Sequence, residues 1–343
     1  MSKSTGWRKL LLPLVPAYRL ALLLRELRLG TGLEPVRRLH FPVVSVGNLS
    51  TGGAGKTPLT IAVAKALAQR GFHVDVLSRG YGRRGRIPVR VDPSGSAEDF
   101  GDEPLLMARQ AGVPVYVARQ RYDAGFLAGA DAAAIAILAK RPKPVVHLLD
   151  DGFQHRQLAR DVDILLLDRR DWTSGLLPAG NLREPLRAIR RATVIAIPAY
   201  DPELEAELKA WGWEGQFWRL NRRMQVPAFD GSLVAFCGIA RPAQFFAGLE
   251  AAGLRLAARI PFPDHHNYTA AGMERLLATA RAQGAAALIT TEKDLVRLGK
   301  LSFAFPESLP LKTAALRVEI EHRDEAIEWL VSRINQVPAR SPL

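Results

Sequence analysis

The feature that most constrains the fold of this chain is a glycine-rich turn between an apolar run and an alanine-rich run. Residues 43–46 read Val-Val-Ser-Val, and Gly-Lys-Thr-Pro follows at 55–58. Glycines let backbone N–H groups point at phosphate oxygens, a lysine reaches the outer phosphates, and a threonine hydroxyl can bind Mg²⁺ at a helix N-terminus. The stretch therefore predicts a strand, a phosphate-binding loop and a helix, with a nucleoside triphosphate as the ligand.

The predicted phosphate-binding residues are consecutive in the sequence. They are Ser50, Thr51, Gly52, Gly53, Ala54, Gly55, Lys56 and Thr57. The strict pattern G-x-x-x-x-G-K-[ST] has glycine where this chain has Ser50, but Gly52 and Gly53 supply flexibility nearby. A glycine-rich turn that binds nothing is the alternative, and the position between a strand and a helix argues against it.

The chain is long enough for two domains and apolar enough for two cores. It has 343 residues, of which 48% are hydrophobic, and its single cysteine, Cys237, excludes an intramolecular disulfide. Apolar runs alternate with helical stretches up to about residue 200, which predicts an α/β fold with a mostly parallel sheet covered by helices on both faces. A fresh set of strands begins near residue 233. We therefore predict three parts, at residues 1–30, 31–225 and 226–335.

The charge of the chain points to an anionic partner. A formal net charge of +13 fits nucleic acid, a phosphorylated small molecule or an acidic membrane surface. The sequence has no RNA-binding signature and no cluster of zinc ligands, so nucleic acid is the weakest of these. We expect no nucleic-acid partner and find no sign of an obligate protein partner.

The N-terminal segment helps to choose between the other two partners. Residues 7–29 combine leucines at helical spacing with arginines, and Leu20, Leu23, Leu24 and Leu27 fall on one face of the predicted helix. The uncharged run is too short to span a bilayer, so the pattern favours an amphipathic helix at a membrane interface. The alternative is an ordinary amphipathic helix that packs on its own domain.

Three further places carry charged residues or histidines at a predicted strand end, before a predicted helix and in a loop. Asp150 and Asp151 end an apolar strand, which resembles the acidic element that lies beside the Mg²⁺ of P-loop enzymes. Asp102 precedes an apolar helix and could simply cap it. His265 lies in a loop with His266, and adjacent histidines without further ligands make a poor zinc site. A general base or an orienting partner is the more plausible role for a histidine there.

Taken together with other short segments of the chain, these residues resemble the tetraacyldisaccharide 4′-kinases, which phosphorylate the lipid A precursor of Gram-negative bacteria. The resemblance covers nearly the whole chain, and its blocks occur in order: 46–48, 52–58, 78–82, 101–103, 150–155, 178–185, 264–265 and 291–294. It implies an ATP-dependent kinase with a P-loop NTPase-like domain, a smaller C-terminal α/β domain and an N-terminal membrane-interface helix. The active site would lie in the cleft between the domains.

The resemblance also implies specific roles. Asp102 and His265 would form a catalytic pair, together with Lys56 at the phosphates, and they would meet only when the cleft closes. Mg²⁺ would be held by Thr57, Asp151 and Glu184. The acceptor would be the 4′-hydroxyl of a tetraacylated glucosamine disaccharide 1-phosphate, giving lipid IVA. The enzyme would sit at the cytoplasmic face of the bacterial inner membrane, attracted by its anionic surface.

Two other functions remain open on the residues alone. A membrane-associated P-loop switch or transport ATPase would share Lys56, Thr57 and Asp151 but would need no base aimed at a sugar hydroxyl. A nucleic-acid-binding module would show affinity that falls steeply with salt.

Overall fold

The computed structural model describes residues 7–53, 55–139, 141–338 and 340. Ala54 of the phosphate-binding loop and residues 1–6 of the N-terminal segment lie outside the described residues. The chain starts with a 3₁₀ helix, Trp7–Leu14, that leads into α1, Val15–Gly30.

Helices and strands alternate through most of the chain, as predicted. The strands are β1 (Val43–Asn48), β2 (His73–Ser78), β3 (Val89–Arg90), β4 (Val115–Val117), β5 (Val145–Asp150), β6 (Val162–Leu166), β7 (Val194–Pro198), β8 (Gln216–Gln225), β9 (Ser232–Cys237), β10 (Arg255–Pro261), β11 (Ala287–Thr291) and β12 (Leu311–Ile320). The remaining α-helices are α2 (Lys56–Gln69), α3 (Ala97–Phe100), α4 (Asp102–Gln110), α5 (Arg121–Leu138), α6 (Arg169–Trp172), α7 (Pro202–Ala210), α8 (Pro242–Ala251), α9 (Ala270–Ala282), α10 (Glu292–Leu298) and α11 (Arg323–Asn335).

The described strands form one mixed sheet. Their order is β10-β9-β11-β12-β8-β7-β6-β1-β5-β2-β4-β3. Neighbours are parallel except at two places, where β12 pairs with β8 and β3 pairs with β4 in antiparallel register. The predicted α/β class with a mostly parallel sheet is therefore confirmed. The central strand β1 is buried along its whole length, between β5 and β6.

Side chains alternate between the two faces of the sheet, and each face carries its own core. Val44 and Val46 of β1 pack on one face with Leu59 of α2, Leu105 of α4 and Leu330 of α11. Val43 and Leu49 point to the other face, where α1, α5 and α7 pack. Because successive strand residues face opposite sides, α1 and α5 lie on the same face of the sheet.

Residues 226–335 were predicted as one smaller unit, and two separate cores lie there. One contains Phe236 and Leu276, and the other contains Cys237 and Phe245. The last helix packs elsewhere, because Ile327 and Leu330 of α11 lie in the core that α2 covers. The chain returns to that core through β12. This strand follows the predicted boundary at residue 225 and pairs with β8, which precedes it. The boundary at residue 225 stays a prediction.

Candidate active site

The phosphate-binding loop lies where the sequence predicts it, between β1 and α2. Gly52 and Gly55 have φ values of 92° and 87°, which residues with a side chain rarely adopt. Ser50 is buried and its hydroxyl accepts a hydrogen bond from Asn48 Nδ2 at 3.1 Å. The Thr51 N–H donates to the Asn181 carbonyl at 2.9 Å. The start of the loop is thus fixed by two hydrogen bonds, and its turn depends on glycine.

Lys56 and Thr57 begin α2 and face the carboxyl end of the sheet. Lys56 Nζ donates to Asn48 Oδ1 at 3.0 Å and lies 3.5 Å from Asp151 Oδ1. The Thr57 side chain is buried. The contact of Lys56 with Asp151 joins the phosphate-binding loop to the acidic strand end.

The two acidic residues at the end of β5 lie in different environments. Asp150 is buried and accepts from Thr60 Oγ1 at 3.2 Å, and burial with the nearby carboxylates of Glu103 and Asp151 raises its pKa to about 7. Burial would also raise the pKa of Asp151, but the charges of Lys56 and Arg183 outweigh it and lower this pKa. Asp151 is therefore the carboxylate that stays ionised beside the loop.

Glu184 was predicted as a third Mg²⁺ ligand. Its side chain is buried, forms an ion pair with Arg191 and lies 3.8 Å from Arg25 of α1. Its Oε1 atom has no hydrogen-bond partner among the described residues. Arg183, which precedes Glu184, lies 3.0 Å from Asp151. The role of Glu184 stays a prediction.

Asp102 and His265 approach one another from distant parts of the chain. Asp102 is the first residue of α4, and His265 lies in the loop after β10. His265 Nδ1 is 3.1 Å from Asp102 Oδ2. The Asp102 carboxylate does more than bind the start of its helix. Its Oδ1 accepts from the adjacent Glu103 N–H at 3.0 Å, and its Oδ2 is the oxygen that faces His265. The two residues are thus in contact in this structure, and the expectation that they meet only when the cleft closes stays a prediction.

Arg297 of α10 holds Asp102 in position beside His265. Its guanidinium donates to Asp102 Oδ2 from Nε at 2.8 Å and from the terminal nitrogen at 2.5 Å. It also contacts the Gly238 carbonyl, and Lys293, one turn earlier, pairs with Glu103. Two ion pairs from α10 therefore fasten the start of α4.

The ion pairs shift the pKa values of the Asp102–His265 pair in opposite directions. Burial would raise the pKa of Asp102, but the hydrogen bond with His265 and the charge of Arg297 hold it far below its ordinary value. The hydrogen bond with Asp102 raises the pKa of His265. The pair is thus a carboxylate with a histidine that readily carries a proton.

Backbone strain is concentrated in the same region. Asp151 and His265 have positive φ values of 48° and 58°, a conformation uncommon for residues other than glycine. Among the described residues only His322 shares this feature. Strain of this kind persists where the surrounding structure imposes it, and it is frequent at active sites.

A cationic cavity of about 590 Å³ lies next to the strand end. It is lined by residues of α1, of the segment after it and of the sheet edge, namely Arg25, Glu34, Pro35, Arg37, Arg79, Arg119, Gln120, Arg121, Asp151, Gln154, His155, Gln157 and Arg183. Burial and the charge of Arg121 lower the pKa of His155 to about 3, so its imidazole is neutral. The cavity suits a large anionic ligand.

Sequence reasoning missed several arginines that shape the site. Arg222 of β8 lies against the phosphate-binding loop, since a Cβ placed on Gly55 would be 3.6 Å from its guanidinium. Arg297 follows the noted Thr-Glu-Lys-Asp block by three residues, and its i+4 spacing from Lys293 could have signalled a shared helix face. No sequence signal pairs Arg222 with a glycine more than 160 residues earlier.

Comparison with known proteins identifies the family. A family model described as tetraacyldisaccharide-1-P 4′-kinase matches residues 7–335. The tetraacyldisaccharide 4′-kinase of Koribacter versatilis (strain Ellin345) is 38% identical over 335 residues, covering 94% of this chain and 98% of that protein. The chain belongs to the tetraacyldisaccharide 4′-kinase family. The enzyme of the same description from Dechloromonas aromatica (strain RCB) is 39% identical over 316 residues, covering 88% and 86%.

A solved structure agrees with this family. The crystal structure of LpxK from Aquifex aeolicus in complex with ATP has a TM-score of 0.72 and 31% identity, covering 96% of this chain and 99% of that one. The predicted family and kinase activity are therefore confirmed, and the protein is a kinase of lipid A biosynthesis. The alternatives of a P-loop switch and of a nucleic-acid-binding module are set aside.

Proposed function

We propose that this kinase transfers the γ-phosphoryl group of ATP to the 4′-hydroxyl of a tetraacylated disaccharide 1-phosphate at the site described above. The observation that carries the proposal is the 3.1 Å contact of Asp102 with His265. Glu103, next to Asp102, is close enough to Asp150 to raise its pKa, so the pair and the strand end belong to one electrostatic environment.

The division of labour follows from the contacts of each residue. Lys56 at the start of α2 would bind the outer phosphates and stabilise the charge that develops during transfer. Asp102 would accept the proton of the sugar hydroxyl as the new O–P bond forms. Because Arg297 and His265 make Asp102 a weak base, we expect this transfer to occur late, when the hydroxyl has become acidic. His265 would orient the carboxylate and share the proton.

The oxygen ligands at the strand end fit Mg²⁺. Asp151 offers an ionised carboxylate, Thr57 a hydroxyl, and Glu184 a buried carboxylate oxygen that lacks a hydrogen-bond partner among the described residues. Mg²⁺ prefers such hard oxygen ligands and also binds substrate phosphates. When bound, the ion would neutralise charge on the β- and γ-phosphates. Within the described residues there is no group of three or more acidic, histidine or cysteine side chains arranged as a metal site, so substrate oxygens would have to complete the coordination.

We also propose that the enzyme works at the anionic cytoplasmic face of the inner membrane, where a tetraacylated substrate would reside. Val15, Tyr18 and Leu22 of α1 pack on the protein core. The opposite leucines are exposed, with Leu20 and Leu27 at 57% and 62%. Both sequence interpretations of this helix are thus supported, one for each face. No helix of the described part is long and apolar enough to cross a bilayer.

The proposed activity is tested with γ-labelled ATP and the detergent-solubilised disaccharide 1-phosphate, separated by thin-layer chromatography. We expect the label in a lipid product. The control variant is Lys65→Ala, which removes an exposed lysine of α2 away from the loop. Label that appears only as inorganic phosphate with the wild-type enzyme would contradict transfer to the lipid.

A further inference from the structure

Helix α5 has an apolar face that points away from the sheet. Its inner face is made of small residues, and Ala124, Gly125 and Ala128 are buried. The approach is close, because a Cβ on Gly125 would lie 2.2 Å from Leu39 Cδ1. Phe126 and Ile137 lie on the opposite side, and their exposed fractions are 62% and 84%.

The outward face of α5 carries no charge along three turns. Its residues follow the helical spacing i, i+4, i+7 and i+11 and are Phe126, Ala130, Ala133 and Ile137. The last helical residue, Leu138, is 87% exposed. Helices on the surface of soluble domains normally present charged or polar residues on this side. A continuous apolar helix face therefore indicates a contact with something other than water.

The exposed leucines of α1 belong to a helix on the same side of the sheet as α5. Both helices cover the same face of the sheet. Val43, which packs with α5, and Leu49, which packs with α1, are an even number of residues apart and therefore point to the same side. The connecting segment adds Leu33 and Val36, which are 75% and 51% exposed. Arg37 binds this segment to α5, because it lies 3.9 Å from Asp123 and stacks over the Tyr122 ring.

Cations border the apolar surface. Arg141 and Lys143 follow α5 and are exposed, and Arg28 is exposed near the end of α1. Apolar side chains flanked by cations match the interface of an anionic bilayer, where each nearby cation adds about 1 kcal/mol. This charge pattern favours a membrane over a second copy of the same positively charged chain.

The cationic cavity lies between the two helices. Arg25 of α1 lines one side, and Arg119, Gln120 and Arg121 at the start of α5 line another. A bilayer touching both helices would therefore lie close to this cavity.

We propose that the outward face of α5 is a second membrane-contact surface, which together with α1 seats the enzyme flat on an anionic bilayer. The inference rests on the proposed function, because it assumes a lipid substrate in that bilayer. It assigns to α5 a role in orienting the cavity toward the membrane, in addition to the anchoring role of α1.

The test compares the double variant Phe126→Glu/Ile137→Glu with the wild type in flotation with vesicles of phosphatidylglycerol and phosphatidylethanolamine. Both side chains are exposed, so folding should be kept, as a thermal melt would verify. Loss of two apolar side chains that would insert into the bilayer should weaken vesicle binding by roughly tenfold or more. The control is Ser332→Glu, an exposed position on α11 at the other face of the sheet. It should bind vesicles like the wild type, or slightly less well.

Turnover of the detergent-solubilised substrate separates this inference from the proposed function. The double variant should keep wild-type turnover in detergent and lose it on vesicle-embedded substrate. Wild-type vesicle binding by the double variant would overturn the inference. So would a wild-type dimer in analytical ultracentrifugation that the double variant dissociates, because the face would then bind a second copy. An inactive wild type in detergent would instead refute the proposed function.

Discussion

At the scale of residues, the site is a set of charged groups whose environments push their pKa values apart. Asp102 is held ionised by His265 and Arg297, while burial beside two other carboxylates raises the pKa of Asp150 to about 7. Neighbouring groups whose pKa values differ in this way can take different roles in proton transfer and charge stabilisation. The separation depends on ion pairs between distant parts of the chain.

The first residue-scale prediction concerns the coupling of the Asp102–His265 pair. The hydrogen bond with Asp102 is the largest cause of the raised pKa of His265. Asp102→Asn removes the charge and keeps the shape, so the His265 pKa should fall toward its ordinary value of about 6.5. NMR titration of the imidazole C–H signals measures this. His266 is an internal control, because its lowered pKa arises mainly from burial. An unchanged His265 pKa would contradict the coupling.

The same pair predicts a pH dependence of stability. A histidine whose folded pKa is raised adds stability below its unfolded pKa, and this is lost as pH rises through the folded value. The cost of His265→Gln should therefore be larger at pH 5.5 than at pH 9. Because the side chain is 40% exposed, we expect a difference of at most about 1 kcal/mol. Urea unfolding at both pH values checks it, and an equal cost would argue against the ion pair.

A further residue-scale prediction concerns the phosphate-binding loop. Lys56→Ala should lower the turnover number by about 10²–10³, since it removes a preorganised charge from the transferring group. Lys65→Ala changes the same residue type on the exposed side of α2 and should leave turnover unaltered. Near-normal turnover of the Lys56 variant at saturating ATP would exclude the assigned role.

Residues of the site could be predicted from the sequence where local geometry determines them. The turn around Gly52 and Gly55 and the acidic end of β5 each follow from a strand and its loop. Arg297 and Arg222 could not be predicted, because they reach the site through packing of elements far apart in the sequence. The contact of Asp102 with His265 depends on the same kind of packing, since Arg297 and Lys293 bring α4 and α10 together.

At the scale of elements, α1 shows why an amphipathic pattern alone leaves two interpretations open. Its spacing predicts an apolar face and a polar flank, but not what lies against each of them. In the fold, one face packs on the core and the leucine-rich face remains exposed. β8 lies between the two predicted sets of strands and was not predicted, although buried Trp218 and Leu220 alternate with exposed Arg219 and Asn221, which is the pattern of a half-buried strand.

The element-scale prediction uses the exposed face of α1. Leu24→Glu alters a side chain that is 52% exposed, so it should leave the fold intact. We expect weaker binding to anionic vesicles, by about three- to tenfold, because one apolar contact is replaced by a charge of the wrong sign. Flotation measures it, again with Ser332→Glu as the control. Equal flotation of the Leu24 variant and the wild type would mean that this face does not contact the bilayer.

At the scale of the whole molecule, one sheet runs through parts that the sequence divides at residue 225. The class of the fold could be predicted, because alternating apolar runs and helices indicate a parallel sheet. The return of the chain through β12 and α11 could not be predicted, since the antiparallel pairing of β12 with β8 has no local signal. The site therefore includes side chains from both sides of the predicted boundary.

The molecule-scale prediction concerns the ion pair that joins these sides. Arg297→Ala leaves Asp102 buried without its main cation, and removing one partner of a buried pair typically costs about 3–5 kcal/mol. The variant should unfold at markedly lower denaturant concentration. Arg275→Ala on α9, where the side chain is exposed, is the comparison and should change stability little. Equal stability of the Arg297 variant and the wild type would show that this ion pair does not stabilise the contact between the two sides.

The most direct test of the catalytic assignment is the single-turnover rate of phosphoryl transfer in Asp102→Asn, His265→Ala and the double variant, with His266→Ala as the control. Each single change should slow transfer by roughly 10²–10⁴ with little effect on ATP binding. If the two side chains act as one unit, the double variant should be barely slower than the worse single variant. Fully multiplicative losses, or an unchanged rate in either single variant, would contradict the assignment.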